Sequence, residues 1–173
     1  MGLKDVPFGS LEKFNVIVEI SQGSQDKYEY DEELDVLKLD RVLHTAQAYP
    51  STYGCIPETR ADDGDHTDVL LMSTNPILAG AVVEARAIGF MNMIDSDEID
   101  NKIIAVPTKD PRFDDVTSLD QVPKHFLKEY KHFFETLKML QGKVITIGEY
   151  EGPEKALEYI EKTRKVYEDE HAA

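Results

Sequence analysis

The chain has 173 residues, 34 acidic against 19 basic, for a formal net charge of −15. That length suits one domain with a real hydrophobic core, taken as residues 1–173, and that charge repels nucleic acid backbones and anionic membranes. The single Cys55 excludes an internal disulfide framework and suits a reducing, cytoplasmic setting, and no apolar run is long enough to span a membrane.

Phe14 to Ile20 alternates imperfectly between apolar and polar and predicts a strand, with Glu19 near its end. Lys27 to Tyr30 and Val36 to Arg41 predict a hairpin joined by the acidic loop Asp31 to Asp35. Pro50, Gly54 and Pro57 make residues 49–60 an irregular, well-packed loop. Val69 to Met72, Val82 to Phe90 and Lys102 to Val106 continue the strands, with no helix between them. Six or so short strands in sequence predict a small closed or nearly closed barrel.

After Pro107 the pattern changes. Pro123 suits the first turn of a helix, and Phe126, Tyr130, Phe133, Phe134, Leu137 and Leu140 follow at helical spacing until Gly142. Val144 to Ile147 is a last strand. Pro153 or Glu154 opens a second helix with Ala156, Leu157, Ile160, Val166 and Tyr167 inward and a frayed tail beyond Glu168. The expected architecture is mainly β with flanking helices (α+β): a barrel with two helices of the C-terminal half packed outside it.

The chemistry concentrates in two acidic turns. Asp62-Asp63-Gly64-Asp65-His66-Thr67-Asp68 runs straight into Val69-Leu70-Leu71. Side chains two apart in extended chain share a face, which pairs Asp63 with Asp65, and Gly64 permits a tight turn between them. A second cluster, Asp95 to Asp100, leads through Lys102 into another apolar strand. A solvated acidic turn is the bland reading of either. Two such turns, each fused to a strand that must be buried, point instead to one divalent-metal site. No EF-hand pattern fits, and the histidines lack zinc-ligand spacing. All-oxygen ligation suits Mg2+ or Mn2+. Lys27, Arg41, Lys102 and Lys138 could clamp phosphate oxygens, and Tyr49 and Tyr53 could donate hydroxyls or serve only as core aromatics.

Taken in order, Val18-Glu19-Ile20, Lys27-Tyr28-Glu29, Asp40-Arg41, Tyr49-Pro50 with Tyr53-Gly54, Asp63-Gly64-Asp65-x-x-Asp68-Val69-Leu70, and Asp95 through Asp100 to Lys102 resemble the soluble inorganic pyrophosphatases of the first, barrel-shaped family. His132-Phe133-Phe134-Glu135 and Lys138 extend the resemblance over nearly the whole chain. It implies a closed five-stranded barrel of the oligonucleotide-binding type and Mg2+-dependent hydrolysis of pyrophosphate, with Mn2+ or another divalent cation as a substitute. By the same resemblance Asp63, Asp68 and Asp100 hold the first metal, and Asp68 also reaches the second. Asp65 deprotonates the attacking water, and Glu19 and Asp95 help hold metals arriving with substrate. Lys27, Arg41 and Lys138 contact phosphate, while Glu29, Tyr53 and Lys102 line the pocket. The resemblance further implies a homo-oligomer, with a hexamer of stacked trimers favoured and His132 near the subunit contacts. Three positions depart from the family pattern: Leu137 replaces a usual tyrosine, His66 a frequent proline, and Asp97 a usual glycine.

Overall fold

Strand by strand, apolar residues in this chain fill both faces of the central sheet. In the computed structural model, which describes residues 2–172, the order is β1 (Phe14–Ile20), β2 (Asp26–Asp31), β3 (Val36–Val42), β4 (Thr52–Ile56), β5 (Thr67–Leu71), β6 (Val82–Asp95), β7 (Glu98–Ile99) and β8 (Lys102–Pro107). Helix α1 (Lys124–Leu137), β9 (Ile145–Glu151) and α2 (Pro153–His171) complete it. Among the described residues, no helix is long and apolar enough to cross a membrane.

The closed five-stranded barrel expected from the sequence is not what forms. β1, β4, β5, β8 and β6 pair in a five-strand ring, but the sheet does not curl into a barrel. It is a seven-stranded mixed sheet flanked by helices, with β2 and β3 apart as a two-stranded sheet. Two features explain the difference. First, β6 is long enough to pair β1 through Val82 to Ala85 and then to carry β7 and β9 on its second half, beyond the ring. Second, both faces of the sheet are covered. Leu70, Ile104 and Val106 join Tyr130, Phe133, Phe134 and Leu137 of α1 in one core. The alternate residues Val69, Leu71, Ile103 and Ala105 join Ala156, Tyr159 and Ile160 of α2 in another. β5 and β8, the parallel pair, are accordingly near-continuous apolar runs, as strands buried on both faces must be.

Other expectations need adjustment. The irregular loop at 49–60 contains β4, a fully buried strand that Gly54 and the nearby prolines disguise. β6 runs past Phe90 to Asp95, β9 starts one residue later than expected and reaches Glu151, and α2 holds through His171 where fraying was expected. Helix α1 ends at Leu137 and passes into a 3-10 turn closed by Gly142 in the left-handed region. Leu140 therefore leaves the apolar stripe and is exposed, as are Phe126 and Val166.

One register irregularity places a functional side chain. β1 pairs with β4 as Val18 to Gly54 and then Ile20 to Tyr53, which leaves Glu19 as an extra residue in a bulge. Bulges re-aim side chains next to functional sites. The close approach depends on Gly54, where an added Cβ would meet the Ile17 carbonyl oxygen at 2.1 Å. We expect Gly54→Ala to lower stability by roughly 1–3 kcal/mol, the usual cost of overpacking, read as a fall in the urea midpoint. An unchanged midpoint would show that β1 has room to move.

Candidate active site

Every sequence-predicted site residue lines one cavity of about 370 Å³. Glu19 arrives from the β1 bulge, Lys27 and Glu29 from β2, Arg41 from β3 and Tyr53 from β4. Asp63 and Asp65 come from the turn before β5, and Asp68 from β5 itself. Asp95 closes β6, Asp100 and Lys102 lead into and open β8, and Lys138 follows the last residue of α1. The parallel register of β5 and β8, with Val69 opposite Ile103, sets Asp68 and Lys102 side by side. Gly64, at φ +90°, makes the turn between Asp63 and Asp65, and Asp63 Oδ1 accepts from the Asp65 amide at 3.0 Å.

Internal cations hold several of the carboxylates. Lys102, 2% exposed, reaches Asp68 Oδ2 at 2.5 Å and hydrogen-bonds Asp100. Burial alone would lower its pKa, but Asp68 and Asp100 outweigh it and keep the ammonium charged far into alkali. Lys138 pairs with Asp95; burial pushes Asp95 up, yet the bonds from Lys138 and Ser96 keep it below the usual carboxylate range. Lys27 pairs with Glu29, and Arg41 Nη1 lies 2.5 Å from Asp40.

The remaining carboxylates crowd one another. Burial raises the Glu19 pKa to about 8, helped by the charge of Asp68 and offset in part by the Tyr30 amide, which donates to Glu19 Oε1 at 2.7 Å. Burial also raises Asp65, with Asp63 and Asp68 adding to it, and Asp65 makes no ion pair among the described residues. Asp100 is raised to about 6 by burial against the pull of Lys102, with Asp68 adding repulsion. Among the described residues no three acidic, imidazole or thiol side chains are gathered tightly enough to hold an ion as they stand. The donor set nevertheless fits divalent cations: carboxylate oxygens in excess of the lysines, in one cavity, with raised pKa values that added positive charge would relieve.

The sequence missed part of the wall. Tyr30, Glu32, Arg60 and His66 line the hairpin side of the cavity. Nothing local marks them, because Glu32 sits in what looks like a solvated acidic loop and Arg60 in an irregular stretch. His66, which stands where the family often has proline, stacks its ring on Tyr30 with centroids 6.0 Å apart, and its Nδ1 lies 2.9 Å from the Thr59 carbonyl. Asp97 and Ser96 both take positive φ in the two-residue turn between β6 and β7, a conformation glycine adopts more easily. Leu137 is buried in the α1 core and lines the cavity without a hydroxyl.

An acid-lined pocket rimmed by lysines and an arginine, set against a mixed sheet, fits the class of enzymes that handle anions with the help of metal cations. The family model described as inorganic pyrophosphatase matches residues 16–168. The inorganic pyrophosphatase of Geobacillus stearothermophilus is 49% identical over 153 residues, 88% of this chain and 93% of that protein. That of Halalkalibacterium halodurans is 53% identical over 145 residues, 84% of this chain and 89% of its own length. The crystal structure of the Thermus thermophilus inorganic pyrophosphatase superposes with a TM-score of 0.92 at 40% identity, covering 97% of this chain and 99% of that one. The chain belongs to the family I soluble inorganic pyrophosphatases. Membership implies a mechanism that depends on divalent metal ions.

The raised carboxylates fix the pH response of the metal-free protein. Glu19 and Asp100 keep protons in the folded state that the unfolded chain releases near its ordinary values of 4.5 and 3.8. Their contribution is therefore greatest at low pH and is lost as pH rises through about 6 and then about 8. With EDTA present, the melting temperature should fall by several degrees from pH 5 to pH 8, since one pK unit is worth about 1.4 kcal/mol. Mg2+ should flatten this fall, and so should Glu19→Gln without metal. A melting temperature that rises with pH in EDTA would contradict the crowding.

Proposed function

We propose that this chain hydrolyses inorganic pyrophosphate to two orthophosphates, with Mg2+ as its activating cation, by direct in-line attack of water. The observation that carries the reading is Asp65, a carboxylate with a raised pKa and no ion pair among the described residues, set in a cavity that lysines and an arginine also line. Family membership supports the substrate, and the family match across residues 16–168 supports a single pyrophosphatase domain.

Glu19, Asp63, Asp68, Asp95 and Asp100 are the residues that would hold the cations. When bound, Mg2+ (or Mn2+ or another divalent ion) supplies the positive charge a highly charged anion needs and lowers the pKa of water. Asp65 accepts the proton of the attacking water, and its raised pKa makes it a stronger base than an ordinary aspartate. The water oxygen bonds to one phosphorus as the bridging P–O bond breaks, and that electron pair leaves on the second phosphate. Lys27, Arg41 and Lys138 grip phosphate oxygens and spread the developing charge, while their carboxylate neighbours keep them oriented. Tyr53 and Glu29 complete the wall, and Lys102 steadies Asp68 and Asp100. Cys55 also reaches the cavity, but burial and Glu19 keep it a protonated thiol, unsuited to forming a covalent phosphoenzyme.

A homo-oligomer, with a hexamer favoured, extends the proposal. Met139, Leu140 and Val144 are exposed apolar residues beside the α1 terminus, and His132 is exposed on α1, which agrees with a face that is covered in assembly. A cytoplasmic setting agrees with the free, buried Cys55.

Phosphate release from pyrophosphate and Mg2+ by the purified protein tests the reading, with ATP as the comparison substrate; no release from pyrophosphate refutes it. Asp65→Asn should lose activity by about 10²–10⁴-fold, the range of general-base contributions, while its unfolding midpoint is kept. Leu137→Tyr should raise kcat/KM by roughly two- to tenfold, because a restored hydroxyl adds one hydrogen bond worth about 0.5–1.5 kcal/mol. Unchanged steady-state constants for that variant would mean that another group already fills the place.

A further inference from the structure

The β2–β3 hairpin brings Lys27, Glu29 and Arg41 to the cavity, yet it belongs to no larger sheet. Isolated two-stranded hairpins are marginal; a main-chain bond between Tyr49 and Ser24 holds its base, so the placement of its tip depends on side-chain ties. At its tip, Glu32 Oε2 lies 3.5 Å from Arg60 Nη2. The same guanidinium donates from Nη1 to the Gly64 carbonyl at 3.0 Å and from Nε to Glu170 Oε2 at 2.9 Å, and it lies 5.6 Å from the centre of the Tyr167 ring.

Gly64 is the residue between Asp63 and Asp65, so a bond to its carbonyl restrains the turn that aims both carboxylates. One planar fork thus joins the acidic turn, the hairpin and α2, and it cannot shift on one without loading the others. His66 reinforces the clasp from within the same turn: it stacks on Tyr30 of β2, and its Nε2 lies 3.8 Å from Glu32. The Arg60 side chain is 19% exposed, so the fork is largely shielded from competing water.

We propose that Arg60 is a positioning residue: through Gly64 and Glu32 it fixes the distance between the turn that bears Asp65 and the hairpin that grips phosphate. The inference deepens the pyrophosphatase reading and rests on it. All three guanidinium nitrogens of Arg60 are engaged by Gly64, Glu32 and Glu170, so it acts through these partners although it stands in the cavity wall. Its removal loosens the hairpin against the acidic turn, which weakens both substrate binding and metal activation. Glu32 acts through the same contact, so the two losses overlap instead of adding.

The test is steady-state hydrolysis of pyrophosphate with Mg2+, alongside thermal unfolding, for the wild type, Arg60→Ala, Arg60→Lys, Glu32→Gln, the Arg60→Ala/Glu32→Gln double variant and Glu170→Gln. Arg60→Ala is expected to raise KM at least about fivefold and to raise the Mg2+ concentration for half-activation. Arg60→Lys should recover part of that loss, and the double variant should be no worse than Arg60→Ala. Glu170→Gln leaves the contacts to Gly64 and Glu32 intact and should change melting alone. Wild-type KM and Mg2+ dependence in both Arg60→Ala and Glu32→Gln would overturn the proposal, whatever their melting temperatures, because a purely structural ion pair predicts that result. Should Arg60→Ala not fold, Glu32→Gln decides by the same criteria. An inactive wild type refutes the parent reading, whereas an active wild type with unaltered variants refutes only the clasp.

Discussion

Lys102 enters the interior almost completely buried, and Asp68 and Asp100 meet its ammonium there. The three groups belong to β5 and to the start of the β8 segment, which the parallel register holds together. Removing one member of a buried ion pair typically costs about 3–5 kcal/mol, because the partner is left charged and unsolvated. A single lysine between two carboxylates also leaves the cluster negative. The arrangement therefore does two jobs at once: it lets aspartates stand in a low-dielectric wall, and it leaves charge over for cations to neutralise. Glu19, which has no lysine within pairing distance among the described residues, carries that surplus furthest, and Asp65 is raised as well.

The site was legible in the sequence to a greater degree than the fold. Oxygen-donor residues fused to apolar strands are visible without any knowledge of topology, and Asp63, Asp65, Asp68, Asp95, Asp100 and Lys102 do line one cavity. The closed barrel was wrong because short strands in a row specify neither how far one strand extends nor which faces are covered. Val69-Leu70-Leu71 reads as a buried run, but only the two helices show that alternate residues serve separate cores. β4 was hidden because Gly54, usually a sign of irregular chain, here permits close strand contact. Arg60, Glu32 and Glu170 lie far apart along the chain, and nothing local to any of them announces that they meet.

Glu19 illustrates how a small irregularity serves two ends. The bulge turns its carboxylate into the cavity, and the same carboxylate accepts the Tyr30 amide from the hairpin. An acid that takes part in the metal-binding wall is thereby also a tie between the main sheet and the phosphate-gripping strands. A further tie runs through the backbone, from the Tyr49 amide to the Ser24 carbonyl. The hairpin is held at its base by that main-chain bond, near the end of β2 by Glu19 and at its tip by Arg60.

The closure of the ring has a consequence for how the protein is made. β1 must wait for the first half of β6, β5 for β8, and Asp95 for Lys138, which follows the long helix. Contacts of such wide sequence separation form late and slowly. A nascent chain still emerging from the ribosome owns most of its aspartates before it owns the partners that organise them. The complete cavity wall, with Lys138 in place, therefore exists only once the chain has passed α1.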